Sequence, residues 1–146
     1  MTINGARCEV PCADSDTLVE LLRTRMRLKG THAGCLNGDC GSCTVSVDGM
    51  IVKSCLIMAA SVEGREVVTV EGLAKDGQLS RIQESFWEHD GFQCGYCLPG
   101  QLFAAADLLE DNPDPSDDEI RHALQGNLCR CTGYQKMVDA IRAVAR

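Results

Sequence analysis

The sequence has no long apolar run, no excess of positive charge and no repeated or low-complexity tract. No stretch of about 18 apolar residues occurs, so the sequence predicts no membrane-spanning helix. The first residues lack a basic region followed by an apolar core, so we expect no secretory signal. A net charge of -7 without a basic stripe argues against nucleic acid as a partner. The 146 residues suffice for one domain of usual size or for two small ones.

Cysteine, by contrast, is abundant, with ten among the 146 residues. We expect a cytoplasmic chain, and disulfides seldom persist in that reducing compartment. Thiols this numerous are then more often metal ligands than disulfide partners. Eight of them form two groups of four, and two lie outside both groups. The first group is Cys35, Cys40, Cys43 and Cys55, the second is Cys94, Cys97, Cys129 and Cys131, and the outlying pair is Cys8 and Cys12.

The first half of the chain predicts short strands around one helix. Two-residue turns at Asn4-Gly5 and Asp48-Gly49 are typical of hairpins. Thr17 and Glu20 fit a capping box that begins a helix, and Gly30 is suited to end it. Alternating apolar and polar residues predict strands over residues 6–12, 44–47, 51–53 and 67–70.

The second half of the chain predicts helices. Pro99 suits a first helical turn, Ser116 and Glu119 form another capping box, and Thr132 is expected to cap the last helix. The predicted helices span residues 80–89, 99–109, 116–125 and 134–145. We therefore expect an α+β protein with a small domain over residues 1–76 and a four-helix domain over residues 77–146.

The first cysteine group has the spacing C-x4-C-x2-C-x11-C, and its first three members match plant-type ferredoxins, which hold a [2Fe-2S] cluster on four thiolates. Cluster sulfides need backbone N–H donors, and a tightly wrapped loop provides them where residues tolerate positive φ. Gly34, Gly38 and Gly41 flank the thiols accordingly, and Asn37 and Asp39 also tolerate such conformations. A structural zinc site is the alternative, but its usual spacing is two C-x2-4-C knuckles. The pattern favours iron–sulfur.

The second group has the less specific spacing C-x2-C-x31-C-x-C, and zinc is a fair competitor on residue types alone. Each cysteine pair precedes a predicted helix start, at Pro99 and at Thr132. A metal centre held there would lie between two helix N-termini, whose dipoles favour added negative charge and hence reduction. An electron carrier benefits from that arrangement, whereas a zinc site does not need it.

Three segments together resemble the small iron–sulfur subunit of the molybdenum hydroxylases, the family of xanthine dehydrogenase, aldehyde oxidoreductase and carbon monoxide dehydrogenase. The resemblance covers essentially the whole chain, and the combination is far more specific than any one segment. Leu98 departs from the family, which often has Thr or Ser there. The segments are THAGCLNGDCGSCTV over residues 31–45, GFQCGYCLPGQ over residues 91–101 and GNLCRCTGY over residues 126–134.

The resemblance implies an N-terminal β-grasp plant-type ferredoxin domain, with its cluster nearer a flavin, and a C-terminal four-helix bundle, with its cluster nearer molybdenum. It implies that electrons released by substrate hydroxylation pass through both [2Fe-2S] clusters to FAD. By position, Gln93 and Cys131 look like residues that touch the molybdopterin. A large molybdenum-binding subunit and a medium FAD-binding subunit would be partners, usually with the cytosine-dinucleotide pterin and as a dimer of heterotrimers.

The remaining side chains favour ordinary structural roles. Cys8 and Cys12 share the apolar parity of their strand and are expected in the core. A Rieske centre needs two His ligands, but the eight thiols already complete both groups, so His32 is expected to be a solvated loop residue. Phe86 and Trp87 are expected to pack in the core. An acidic stretch is expected to be a solvated surface with helix capping; it comprises Asp107, Glu110, Asp111, Asp114, Asp117, Asp118 and Glu119.

Three classes of function stay open at this point: an electron-transfer subunit of a molybdenum hydroxylase, a free-standing two-cluster ferredoxin and a zinc-stabilised interaction module. The sequence favours the first, because a lone carrier has no use for a pterin-facing Gln93. The substrate is expected to be chosen by the molybdenum subunit, so carbon monoxide, aldehydes, purines and N-heteroaromatics are equally open.

Overall fold

The computed structural model describes residues 1–145, which fold as one five-stranded sheet followed by helices. The sheet order is β2-β1-β5-β3-β4, with β1 and β5 parallel and the other pairs antiparallel. The strands are β1 Thr2–Ile3, β2 Ala6–Arg7, β3 Thr44–Val47, β4 Met50–Lys53 and β5 Glu66–Val68. The α-helices are α1 Leu18–Glu20, α2 Arg81–Glu88, α3 Leu98–Asp111, α4 Asp117–Ala123 and α5 Gln135–Val144.

Both predicted hairpins are present. Asn4 and Gly5 have φ of 50° and 80°, and Asp48 and Gly49 have φ of 49° and 85°, as a two-residue turn with two positive φ values requires. The strand predicted over residues 6–12 is wrong beyond Arg7, because the following segment makes no ladder. The predicted strand at residues 67–70 is likewise shorter, since Val70 begins a 3-10 helix, Val70–Leu73.

The first helix begins as predicted and ends early. Thr17 and Glu20 form the capping box, with the Thr17 N–H donating to the Glu20 carboxylate at 2.9 Å. The helix continues as a π-helix, Leu21–Arg25, and stops before Arg27, which has a φ of 58°. The predicted end at Gly30 is therefore wrong by several residues.

The two larger apolar cores lie on either side of the chain's midpoint, and a small third cluster consists of Val19, Cys43 and Cys55. The first is enclosed by the sheet and the helix after Thr17, and the second by the four later helices. Val70 and Leu73 precede the later helices in sequence but pack against the second core. Helix α3 also packs against β3, so the two halves are in contact. Within residues 1–145 the helices are all too short or too polar to cross a bilayer.

Candidate metal centres

The first cysteine group lies on a loop and on the turn that follows β4. Cys35 and Cys40 occupy the loop, Cys43 immediately precedes β3, and Cys55 lies in the 3-10 helix Ser54–Leu56. Cys35 is exposed, whereas Cys43 and Cys55 are only 2% and 6% exposed. The β3-β4 hairpin therefore carries Cys55 back to the loop.

Contacts divide the four thiols into two pairs. The Cys40 N–H donates to Cys35 Sγ at 3.3 Å, and the backbone N–H groups of Cys40 and then Asn37 lower the pKa of Cys35 to about 6. Burial, followed by the neighbouring Cys43 thiol, raises the pKa of Cys55 to about 11. One pair is thus Cys35 with Cys40, and the other is Cys43 with Cys55.

The glycines of this loop act in two ways. Gly38 and Gly41 have φ of 89° and 73°, as predicted, because the loop turns sharply around the thiols. Gly34 has no such φ; it is needed because a Cβ there would lie 2.9 Å from Cys40 Sγ. The non-glycine residue with positive φ in the loop is Leu36, not Asn37 or Asp39 as the sequence suggested.

The second cysteine group also forms two pairs. The sulfurs of Cys94 and Cys131 are 3.5 Å apart, and the thiols of Cys97 and Cys129 are neighbours. Cys94 and Cys131 are exposed, whereas Cys97 is 7% exposed and Cys129 is half-buried. Each group therefore combines buried thiols with thiols open to solvent.

The two ends of this group differ in their surroundings. The Tyr96 N–H, followed by the Cys131 thiol, lowers the pKa of Cys94. Burial, followed by the Cys129 thiol, raises the pKa of Cys97 to about 12. An exposed, hydrogen-bonded sulfur and a buried sulfur thus belong to the same cysteine group.

One of the two predicted helix starts is confirmed. Cys97 is the N-cap residue of α3, and Pro99 lies in its first turn. Thr132 does not cap α5, so that prediction is wrong; the cap is Tyr134, in the left-handed conformation with φ of 68°. Thr132 instead contacts Cys129, because its N–H and hydroxyl lie 3.4 Å and 3.1 Å from the Cys129 sulfur.

The donor set fits [2Fe-2S] clusters. In residues 1–145 no three or more His, Cys, Asp or Glu side chains converge as ligands of one ion. A [2Fe-2S] cluster places two thiolates on each iron, so four thiols in two pairs match its needs. The backbone N–H groups of Cys40 and Thr132 donate to the sulfurs of Cys35 and Cys129, and such donors would stabilise the negative charge that a cluster carries.

The loops of the two groups meet directly, which the sequence analysis missed. The Leu128 N–H donates to the Cys40 carbonyl at 2.9 Å. Gly100 and Gly41 allow this approach, because a Cβ on Gly100 would overlap the Gly41 carbonyl. Asn127 also packs against both glycines. The only sequence signal was a glycine in the first turn of α3, where most side chains would favour the helix better.

His32 is not the solvated loop residue that the sequence predicted. It is half-buried, and its ring stacks on Tyr96 with ring centroids 4.6 Å apart. Its Nδ1 donates to the Tyr96 carbonyl at 2.8 Å. No local pattern could have found this contact, because 64 residues separate the two side chains.

The remaining predicted residues lie as follows. Gln93 and Cys131 are both exposed, and Gln93 directly precedes Cys94; their role at a pterin stays a prediction. Cys8 and Cys12 are half-buried against the first core, as expected. Phe86 is buried, but the prediction for Trp87 is wrong, because adjacent helix residues face different ways and Trp87 is 70% exposed.

The acidic stretch is a solvated surface, as predicted. All its members except the half-buried Asp117 are exposed. Ser116 and Glu119 form the capping box of α4, with the Ser116 N–H donating to Glu119 at 2.7 Å. Asp117 pairs with Arg142 at 2.7 Å, which links α4 to α5.

Comparison with known proteins agrees with this geometry. Residues 1–74 match the family model described as a 2Fe-2S iron-sulfur cluster binding domain, and residues 69–142 match that of a [2Fe-2S] binding domain. The chain is 48% identical over 139 residues to the nicotine 6-hydroxylase small subunit of Paenarthrobacter nicotinovorans. The alignment covers 95% of this chain and 84% of that protein. It is 45% identical over 150 residues to caffeine dehydrogenase subunit gamma of Pseudomonas sp. (strain CBB1), with 99% and 89% covered.

A solved structure has the same fold throughout. Quinoline 2-oxidoreductase from Pseudomonas putida 86 matches with a TM-score of 0.96 and 44% identity, and the match covers 99% of this chain and 89% of that chain. Both halves of the chain and their order are therefore shared with these proteins. The chain belongs to the small [2Fe-2S] iron–sulfur subunits of the molybdenum hydroxylase family, which are oxidoreductase subunits and are not catalytic alone.

Proposed function

We propose that this chain is the electron-transfer subunit of a molybdenum-dependent hydroxylase and relays electrons from a molybdopterin centre through two [2Fe-2S] clusters to FAD. The observation that carries the proposal is the presence of two groups of four thiols whose loops touch. The hydrogen bond from Leu128 to the Cys40 carbonyl supports a short connection between the groups. Relay between two centres requires such proximity.

The pairing of the thiols supports a ligand assignment for each iron. Cys35 and Cys40 would hold one iron of the first cluster, and Cys43 and Cys55 the other. Cys94 with Cys131 and Cys97 with Cys129 would do the same for the second cluster. When bound, each cluster supplies reversible one-electron reduction, and the N–H donors around Cys35 and Cys129 would stabilise the added negative charge.

The proposal includes the domain division and the partners. Residues 1–76 would be the β-grasp ferredoxin domain, and residues 77–146 the four-helix bundle, which the packing of α2 against α5 and α3 supports. A large subunit would bring the molybdopterin, as its cytosine dinucleotide, and a medium subunit the FAD, in a dimer of heterotrimers. The free state of all ten cysteines suits the cytoplasm. Exposed Gln93 and Cys131 would lie at the pterin.

The experiment is electron paramagnetic resonance of the chemically reduced protein, with spins counted per chain and co-purifying chains identified. We expect two distinct spin-half signals in a 1:1 ratio and two larger partner chains that carry molybdenum and FAD. A single signal would remove the relay, and two signals without partner chains would favour a free ferredoxin. Colourless protein containing zinc would make the chain a structural module.

The names of the relatives suggest the first substrates to test on the assembled complex. Nicotine, caffeine and quinoline share nitrogen heteroaromatic rings. We infer a substrate of this class, to be assayed by the reduction of an artificial electron acceptor. Turnover of aldehydes or carbon monoxide with no turnover of heteroaromatic compounds would contradict this inference.

The placement of Gln93 at the pterin predicts a separable effect. Gln93→Ala should leave both cluster signals intact, because this exposed side chain holds no iron. It should lower the molybdenum content of the assembled complex, because the proposed contact with the pterin is removed. Metal analysis beside the resonance spectrum measures both. Gln78→Ala, at an exposed turn, is the control and should change neither. Unchanged molybdenum content in Gln93→Ala would show that this residue does not hold the pterin.

A further inference from the structure

Two aromatic side chains connect the loops of the two cysteine groups. His32 lies three residues before Cys35, and Tyr96 lies between Cys94 and Cys97. Their rings stack with centroids 4.6 Å apart and planes 18° from parallel. This separation is within the range in which ring pairs attract one another.

Two hydrogen bonds hold the stacked pair in one geometry. His32 Nδ1 donates to the Tyr96 carbonyl at 2.8 Å, which requires the proton on Nδ1 because a carbonyl can only accept. In return, Tyr96 Oη donates to the Ala33 carbonyl at 2.9 Å. Each side chain therefore holds the backbone of the other loop, and the pair cannot slide without losing a bond.

The Tyr96 ring also lies beside the first cysteine group. A Cβ on Gly34 would be 3.5 Å from the ring carbon Cε1 of Tyr96 and 2.9 Å from Cys40 Sγ. Only Gly34 therefore separates the Tyr96 ring of the second loop from the Cys40 thiol of the first group. Tyr96 is nevertheless 47% exposed, so burial of apolar surface explains little of this arrangement.

We propose that His32 and Tyr96 are positioning residues that fix the distance and orientation between the two cysteine groups. The inference rests on the proposed function, in which both groups hold clusters. The hydrogen bond from Leu128 to Cys40 and the close contact of Gly100 with Gly41 tie the two loops at residues 40–41 of the first loop. The stacked pair attaches His32 and Ala33, at the start of that loop, to Tyr96, and this further attachment restricts the orientation of one loop relative to the other.

The test uses the magnetic interaction between the two reduced clusters in the full complex. This interaction depends on the separation and relative orientation of the two spins, so it reports the geometry between the clusters, which a measurement of stability alone does not. We expect His32→Ala and Tyr96→Ala to keep full iron content and to change or lose the splitting of the resonance signals. Tyr96→Phe and His32→Phe retain a stack and should keep most of the splitting.

A double-mutant cycle tests whether the two residues act as one contact. The unfolding midpoint should fall by a few degrees in each alanine variant, and by little more in the double variant. His122→Ala, at an exposed position on α4, is the matched control and should change neither the midpoint nor the splitting.

The outcomes separate this inference from the proposed function. If the unmodified protein lacks two cluster signals, the proposed function fails before any variant is made. If it shows both signals and the alanine variants leave the splitting unchanged, only the positioning role is overturned. Additive effects in the cycle would likewise overturn it. If an alanine variant does not fold, the phenylalanine variants decide, because each loses one of the two hydrogen bonds of the pair. A splitting identical to that of the unmodified protein in both phenylalanine variants would then overturn the positioning role.

Discussion

At the scale of single residues, the thiols of each group differ more than their spacing suggests. Cys43 and Cys55 are almost fully buried, whereas Cys35 is open to solvent and bonded to backbone N–H groups. The spacing identified the four residues as a set, because ligand spacing is a local property of the chain. It could not identify which thiols pair, since that depends on how the β3-β4 hairpin returns to the loop.

The buried thiol of Cys43 offers the sharpest test of the assignment. We expect Cys43→Ser to remove the first cluster and leave the second, because an alcohol is a poor ligand for iron and the two groups are separate sets. Iron content should fall by about half, and one resonance signal should disappear.

The control for that change is another cysteine that lies outside both groups. Cys12→Ser alters a half-buried thiol that packs against the first core, so it should lower stability slightly and leave the iron content unchanged. Loss of both signals in Cys43→Ser would contradict two independent centres.

At the scale of elements, the sequence predicted best what is fixed within a few residues. The two hairpin turns and the capping boxes at Thr17 and Ser116 are present where the pattern indicated them. The π-helical turn after Glu20 and the left-handed cap at Tyr134 were not foreseen. Tyr134 caps α5 because its hydroxyl is held by Cys129 and Asn127, and such contacts have no local sequence signal.

The capping box of α4 predicts a pH-dependent contribution to stability. Hydrogen bonds from the Ser116 hydroxyl and N–H hold the pKa of Glu119 below its usual value. Because the pKa of Glu119 is lower in the folded than in the unfolded state, its ionisation stabilises the fold at any pH above the unfolded-state pKa. This contribution decreases as the pH falls below the unfolded-state pKa and is lost once the pH is below the folded-state pKa. Loss of an N-cap hydroxyl ordinarily costs about 1 kcal/mol. Ser116→Ala should therefore destabilise the protein in urea unfolding at neutral pH and do so less in acid.

A second box in the same chain provides the control. Ser80 is paired with Gln83, whose amide does not titrate, and the Ser80 N–H donates to it at 2.9 Å. Ser80→Ala should also destabilise the protein, but by the same amount at both pH values. An equal pH dependence for the two variants would show that Glu119 ionisation is not the cause.

At the scale of the whole molecule, the two halves of the chain are in direct contact and are not merely joined by a linker. The predicted boundary at residue 76 follows the change in pattern, yet Val70 and Leu73 pack into the second core. The two family matches overlap at residues 69–74, in agreement with this shared segment. Sequence patterning found the two halves but not their interface, because the interface depends on close approach of backbones at Gly41 and Gly100.

Because of that close approach, Gly100→Ala can either raise or lower the free energy of unfolding, and the direction of the change is informative. Within a helix, Gly→Ala ordinarily stabilises by about 1 kcal/mol. At Gly100 the new Cβ would overlap the Gly41 carbonyl, a backbone atom that cannot turn aside as a flexible side chain does. Overpacking of this kind costs about 1–3 kcal/mol, so we expect Gly100→Ala to lower the free energy of unfolding measured in urea.

The matched control is Gly126→Ala, because the nearest atom to a Cβ at that glycine is the mobile end of Lys53, 4.0 Å away. It should leave stability close to that of the unmodified protein. The first turn of α3 follows Cys97 directly, so a shift there also displaces the second cysteine group against Cys40. Stabilisation by Gly100→Ala would mean that helix propensity outweighs the contact between Gly100 and Gly41.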